Sequence, residues 1–401
     1  MNANGSSSSG RPLACVIGEI DLVQALGLAG IFSVVVSPPG DFTRYSKFTR
    51  DSINRVNASR NPAELVDRLL EWSRNQPEKS VLYYNGDWDL LAVSRYREQL
   101  SEGFRFVVPG KELVEDLVDK RRFQQLAEKH ELPVPRSVML GAGPQAADFG
   151  LRFPVVVKPV TRNHASWKPI ARAKVVQCDT PEELASLLSR LEEAGVVVLV
   201  QEFVPGPESL IESYHVYAAE DGTVVGEFTG KKIRTYPEHH GYSTALVLSD
   251  APDVSELGRD IVRRIDLRGV AKLDFKRDPE DGRLHLLEIN PRFNLWHHPG
   301  AAAGVNIPEL VYRDLVGLPR RQPAAARVGV RWCSPWRDAQ AAWTQRVPLR
   351  SWLPWMLSCE TKCAFSWADP LPFPRACTYR ALEKLRGLQK RRRQRTGRPV
   401  F

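Results

Sequence analysis

Residues 13–109 alternate strand-like and helix-like patterns, and this alternation constrains the fold of the chain more than any other feature. "LACVIG" (13–18) is a short apolar run of strand character. "EIDLVQALGLAG" has helical spacing, and "IFSVVVSP" (31–38) is a second strand. "NPAELVDRLLEWSRN" predicts a helix with Asn61 as N-cap and Pro62 at its first position. "SVLYYNG" and "FRFVVPG" read as further strands. Strands separated by helices build parallel sheets, because a parallel neighbour needs a crossover long enough to bring the chain back. Gly18 closes the first strand without the rest of a GxGxxG, so a dinucleotide fingerprint is not expected.

From Lys111 the pattern changes. "KELVEDLVDKRRFQQLAEKHELPVP" predicts helix, stopped by Pro133 and Pro135. "FPVVVKPV" (153–160) is a strand with Lys158 among apolar neighbours. "TPEELASLLSRLEEAG" is a helix capped by Thr180, and "VVVLVQEFVPGPE" is a strand leaving through a Pro-Gly loop. The stretch "ESYHVYAAEDGTVVGEFTGKKIRTYP" is β-rich and turns at Asp221-Gly222. A helix at about 253–265 precedes two strands, "GVAKLDFKRD" and "RLHLLEIN", joined by a polar turn at Glu280–Gly282. Six of the ten tryptophans then fall between 332 and 367.

Composition narrows the class. A 43% hydrophobic fraction over 401 residues is that of a soluble protein with room for two or three domains. No apolar run is long enough for a membrane span, and "MNANGSSSSGRP" reads as a disordered tail rather than a signal peptide. Six scattered cysteines, with no further ligands beside the Cys359/Cys363 pair, fit a reducing cytoplasm and no disulfide or metal scaffold. The net charge of +9 is nearly all carried by the eight Lys and Arg of residues 384–398. The body is therefore close to neutral, which argues against a nucleic-acid-binding surface. The basic segment follows "TYRALEKLRGLQ", where Tyr379, Leu382, Leu385 and Leu388 recur every third residue. Two readings stand: a solvated tail, or weak contact with an anionic membrane or polymer.

The chemistry concentrates in the last two strands. Side chains at i, i+2 and i+4 of a strand share a face. "LHLLEINPR" thus brings Glu288 and Asn290, with Arg292, to the end of one strand, and Asp274 sits on the strand before it. Two carboxylates on one face repel unless something neutralises them. A hard divalent cation would, since Mg²⁺ takes oxygen ligands and leaves positions for water and phosphate. The competing reading is a surface salt-bridge network of the same acids with Lys272 and Arg292.

Residues 111–312 resemble the ATP-grasp superfamily of carboxylate–amine ligases. Four motifs in order carry the resemblance: "DK" at Asp119-Lys120 opening a helix, "FPVVVKPV", "VQEFVPGPE", and "KLDF" through "LLEINPR". The implied fold is α/β with α+β lobes: an ATP-grasp fold behind an N-terminal Rossmann-like α/β domain, with a Trp-rich C-terminal extension. Composition and the resemblance together give the expected domains: a tail (1–11), the N-terminal domain (12–112), a small lobe (113–204), a large lobe with the metal site (205–325), the extension (326–383) and the basic tail (384–401).

The resemblance also implies roles. Lys120, Lys158 and one of Lys231 or Lys232 would hold the phosphates of ATP. Backbone groups of Glu202 and Val204 would pair with adenine, with Gln201 near its amine, and Glu208 would accept from the ribose. Asp274, Glu288 and Asn290 would hold Mg²⁺, or Mn²⁺ in its place. Lys272 stands where relatives carry an oxyanion-holding arginine, and Arg292 and Arg234 are further candidates for gripping the carboxylate. The implied reaction turns a carboxylate into an acyl phosphate and joins it to an amine, releasing ADP and phosphate. A small-molecule phosphotransferase or a non-catalytic ATP-binding protein of the same fold are the alternatives. One departure is the loop after Lys158, "TRNHASWKPIARAK", which lacks the glycines common there; His164, Ser166 and Lys168 would replace backbone contacts. "RTYPEHHGYST" offers His239, His240 and Tyr242 to the second substrate, or is a plain surface loop. "CAFSWADPLPF" would cover the site or pack as core.

Overall fold

The computed structural model describes residues 11–141, 150–161, 164, 166–239, 241–322 and 324–381, with the side chain of Lys168 left out. The N-terminal tail up to residue 10, the basic segment 384–398 and His240 therefore lie outside the described residues. The chain divides into two compact units: Met1–Val107 with Phe293–Pro323 and Glu360–Phe401, and Val108–Arg292 with Ala324–Cys359.

The first unit contains β1 (Ala14–Ile17), α1 (Ile20–Leu28), β2 (Ser33–Ser37), β3 (Thr49–Asn54), α2 (Pro62–Ser73), β4 (Ser80–Tyr84), α3 (Asp87–Arg95), α4 (Arg97–Gly103) and β5 (Phe104–Arg105). Its sheet runs β3-β2-β1-β4-β5, and every pairing is parallel, as the alternation predicts. Asn61 caps α2 by accepting from the Glu64 N–H, with Pro62 at the first turn. The expected strand at 104–110 shrinks to Phe104–Arg105 before Pro109.

The second unit opens with α5 (Lys111–Val118) and α6 (Lys120–Lys129). The single helix expected here is broken at Asp119, whose carboxylate accepts from the N–H groups of Arg121 and Arg122 and so starts α6 afresh. Next come β6 (Ser137–Leu140), β7 (Val155–Pro159), α7 (Trp167–Ala171), β8 (Val176–Cys178), α8 (Pro181–Glu193) and β9 (Val198–Glu202). These strands form an antiparallel sheet ordered β6-β9-β7-β8. Leu184, Leu187 and Leu191 of α8 pack on its apolar face, and Thr180 caps the helix.

The larger sheet is built from β10 (Ile211–Ala218), β11 (Val224–Tyr236), β12 (Tyr242–Ser249), β13 (Gly269–Arg277) and β14 (Leu284–Asn290), with α9 (Pro252–Arg264) on one face. Its order is β14-β13-β10-β11-β12, antiparallel throughout. The Asp221-Gly222 turn joins β10 to β11, with Gly222 at φ 85°. Tyr214, Val216, Leu273, Phe275, Leu286 and Ile289 face α9 in one core. Gly258 of α9 lets the helix approach closely: a Cβ there would lie 2.3 Å from the Tyr214 ring.

After β14 the helices α10 (His297–Ala302) and α11 (Ile307–Leu315) return to the first unit. Then β15 (Arg331–Cys333) adds to β12 in the second, followed by α12 (Pro335–Thr344) and α13 (Leu349–Leu357). The Trp-rich stretch is mixed in its packing. Trp332 is buried, Trp352 and Trp355 are half-buried, and Trp343 and Trp367 are exposed.

Candidate active site

Strand alternation delivers the site residues to the sheet face opposite α9. On β13, Leu273 and Phe275 go to the core, so Lys272, Asp274 and Lys276 go to the other side. Asp274 lies directly beside Glu288 on β14 and beside Ser213 on β10, and Lys272 lies beside Asn290. Strict alternation would place Leu286 and Glu288 on one face. The register shift between Asp274 and Phe275 breaks it, pairing Phe275 with Leu286 rather than Leu287. That bulge sends Leu286 to the core and leaves Glu288 opposite Asp274.

Two lysines neutralise the paired acids. Asp274 is buried, and its Oδ2 receives Lys272 Nζ at 2.6 Å and Lys232 Nζ at 3.4 Å, while Ser213 Oγ donates to Oδ1 at 2.5 Å. Burial would raise the Asp274 pKa, but the two ammonium groups outweigh it and hold the carboxyl well below its usual range. Glu288 reaches solvent beside this cluster and accepts from Asn290 Nδ2 at 3.0 Å. Desolvation and Asp274 push its pKa up, and Lys272, Lys232 and the Asn290 bond together bring it below the ordinary value. Arg292 Nη2 donates to Asn290 Oδ1 at 3.2 Å. Asp274 is thus salt-bridged inside the protein, and Glu288, beside it at the solvent edge, is held by Asn290.

Further cations come from other elements. Lys120 opens α6 and donates to the Pro159 carbonyl. Lys158 on β7 donates to Gln201 Oε1 at 2.8 Å. Burial brings the Lys158 pKa down to about 8, Glu288 partly opposing and Lys174 adding to it. Lys120 is likewise brought to about 8 by burial and then by Lys158 and Lys174. Of the pair on β11, Lys232 joins the cluster and Lys231 is exposed beside Glu212. Glu208 lies close enough to influence Lys158, Lys232 and Lys276.

The hinge is preorganised. Glu202 N–H donates to the Arg136 carbonyl and Phe203 N–H to that of Pro154. Lys276, a residue the motifs did not single out, donates to the Gly206 carbonyl at 2.7 Å and stands 4.6 Å from the Phe203 ring centre. The glycine-free loop folds its α7 onto the small sheet by burying Trp167, whose Nε1 donates to the Ala173 carbonyl at 2.7 Å. This places Lys174 5.5 Å from the ring centre of Tyr242 at the β11–β12 hairpin.

Arg234 departs from its expected role. Its guanidinium is held by Asp338 of α12, so a substrate carboxylate would have to displace an existing partner. Sequence reading also missed Ser213, Lys174 and Asp338. Only Ser213 left a trace, as one of the polar residues of "IESYHVYA" inside a buried strand.

The donors fit a hard cation: two carboxylates and an amide oxygen on one face, with no soft ligand among them. Among the described residues no cluster of three or more His, Cys, Asp or Glu is poised for a metal.

An alternating parallel domain and two antiparallel sheets agree with the ATP-grasp fold that the resemblance implies. The model for "ATP-grasp in the biosynthetic pathway with Ter operon" matches residues 196–334. The chain is 27% identical over 290 residues to D-aspartate ligase of Enterococcus faecium, covering 68% of each chain. It is 25% identical over 222 residues to a D-alanine–D-alanine ligase of Xanthomonas axonopodis pv. citri, covering 49% of this chain and 64% of that protein. In fold it is similar to N5-carboxyaminoimidazole synthetase of Staphylococcus aureus complexed with ADP, with TM-score 0.58 at 14% identity and 80% coverage of both chains. It is also similar to L-amino acid ligase of Bacillus licheniformis, with TM-score 0.56 at 14% identity, over 80% of this chain and 76% of that one. The chain is thus similar to ATP-grasp proteins in sequence over residues 196–334 and in fold over most of its length.

Proposed function

We propose that the protein activates the carboxylate of a small molecule of the amino-acid class and joins it to an amine, in the reducing cytoplasm. The observation that carries the site assignment is the convergence of Lys158, Lys232 and Lys272 on Asp274, Glu288 and Asn290. ATP carries several negative charges, and a site that binds it must meet them with fixed cations. In this reading Lys120, Lys158 and Lys232 hold phosphate oxygens, with Lys174 approaching from the glycine-free loop. The Glu202–Val204 backbone pairs with adenine, Gln201 orients Lys158, and Glu208 accepts from the ribose. Asp274, Glu288 and Asn290 would hold Mg²⁺, which when bound screens the charge of the phosphates.

The chain's own contribution is placement and electrostatics. Lys272 and Arg292 are at hand to stabilise an anionic carboxylate or tetrahedral oxygen on the same face. Lys272 must first exchange Asp274 for that oxygen, and it does so cheaply if a cation takes over the Asp274 charge. Amino-acid substrates are supported by the names of the relatives, D-aspartate ligase and D-alanine–D-alanine ligase. Free thiols at every described cysteine accord with a reducing compartment.

The test is a screen of carboxylate and amine pairs for ADP release, with mass detection of the product. ADP release that needs both partners and yields an adduct supports the reading. Release with a carboxylate alone, ending in a stable phosphorylated product, would replace it with a phosphotransferase.

A further inference from the structure

We propose that α13 seats the protein on an anionic lipid surface through Leu349, Leu353 and Leu357. Nine residues at 100° each place these leucines within about 80° of arc on the helix. Their side chains are 68%, 41% and 64% exposed. The arc from Trp355 to Met356, which flanks the stripe at Leu349, is fastened down. Trp352 Nε1 donates to Asp338 Oδ2 at 2.8 Å, Trp355 lies under the Arg234 guanidinium, and Trp355 and Met356 pack against Ala245, Cys333 and Cys359. The helix is thus held along one arc and presents a leucine stripe on the adjoining one. Ordinary protein surface does not align large apolar side chains in this way. Trp343, at the end of α12 just before the turn into α13, is 85% exposed. An indole fully in water is costly there but suits a lipid headgroup region.

Charge selects the partner. Between Asp338 and Glu360 the sequence contains no acid, and its only charges are Arg346 and Arg350, both exposed. Arg350 falls on the solvent arc beside the stripe. A second copy of the chain is the poorer occupant: a two-fold contact along α13 would bring the same arginines together with no acid on the helix itself to pair them. Anionic headgroups meet those arginines while the leucines enter the acyl boundary. No helix among the described residues is long and apolar enough to cross a membrane, so the contact lies in the plane of the surface. The basic segment 384–398 carries the same sign of charge, but α13 supplies the apolar part on its own.

The test is flotation of the full-length protein with phosphatidylcholine vesicles that contain or lack phosphatidylglycerol. Binding is expected only with phosphatidylglycerol. The Leu349→Ser, Leu353→Ser, Leu357→Ser triple variant should bind about tenfold less or worse, with an unchanged circular dichroism spectrum and unchanged ADP release. Arg346→Ser with Arg350→Ser should weaken binding and flatten its salt dependence. Absence of flotation by the parent protein overturns the proposal. So does a triple variant that floats as well as the parent, which would leave the basic segment as the whole anchor. A parent dimer that the triple variant dissociates, without any flotation, would reassign the stripe to a second copy.

Discussion

Arg234 on β11 and Asp338 on α12 form a two-pronged ion pair, Nε to Oδ1 at 2.8 Å and Nη2 to Oδ2 at 2.7 Å. Asp338 is fully buried and also receives Thr244 Oγ1 and Trp352 Nε1. One carboxylate thereby fastens the C-terminal extension to the strand that carries Lys232. The pair makes Arg234 part of the framework of the site.

Asp338→Ala should therefore be strongly destabilising, because it leaves a nearly buried guanidinium without its partner. The expected loss is about 3–5 kcal/mol, read from urea unfolding. A loss under about 1 kcal/mol would mean the pair behaves as a surface bridge and Arg234 is available for other work.

Glu288→Gln should cut turnover roughly a hundredfold or more, if Glu288 serves as a metal ligand. The fold should survive with at most a small loss of stability, because Lys272, Lys232 and Asn290 outweigh the repulsion from Asp274 and favour the charged form of Glu288. Near-parental turnover in this variant would dismiss the carboxylate pair as the metal site.

Lys158→Ala should weaken ATP binding by about 1.5–3 kcal/mol, the cost of one charge-assisted bond. Calorimetry gives the number directly. The same titration with GTP checks the hinge, since backbone pairing at Glu202 and Val204 favours adenine; equal affinity for both nucleotides would contradict that assignment.

Proton linkage provides an independent check. Lys120 and Lys158 are lowered from 10.5 to about 8 by burial. Below about pH 8 both are charged, and the fold carries the full cost of burying them. As pH rises from about 8 to 10.5 the unfolded chain binds more protons than the native one, so this cost is relieved and stability gains. Nucleotide phosphates favour the charged forms. ATP affinity should therefore fall as pH passes about 8, and binding at pH 8–9 should take up protons. Calorimetry in buffers of different ionisation enthalpy measures that uptake. An affinity flat from pH 7 to 9.5 would place these lysines away from the phosphates.

Much of this protein was legible without coordinates. Strand–helix alternation foretold the parallel sheet, because parallel strands require crossovers. Asn61-Pro62 and Thr180-Pro181 marked two helix starts, because caps are local chemistry. Asp274, Glu288 and Asn290 stood out because acids and amides interrupt apolar strands only at some cost. Tertiary structure decided the rest, and in each case the deciding contact joins distant residues. The choice of Lys232 over Lys231 follows from which face of β11 meets Asp274, 42 residues further on. The bulge opposite Asp274 restores Glu288 to the site face after two neighbouring leucines upset the alternation. Arg234 looked available until Asp338, 104 residues away, was seen to hold it. A sequence displays which side chains a strand offers, but only packing determines which of them still have a charge to give.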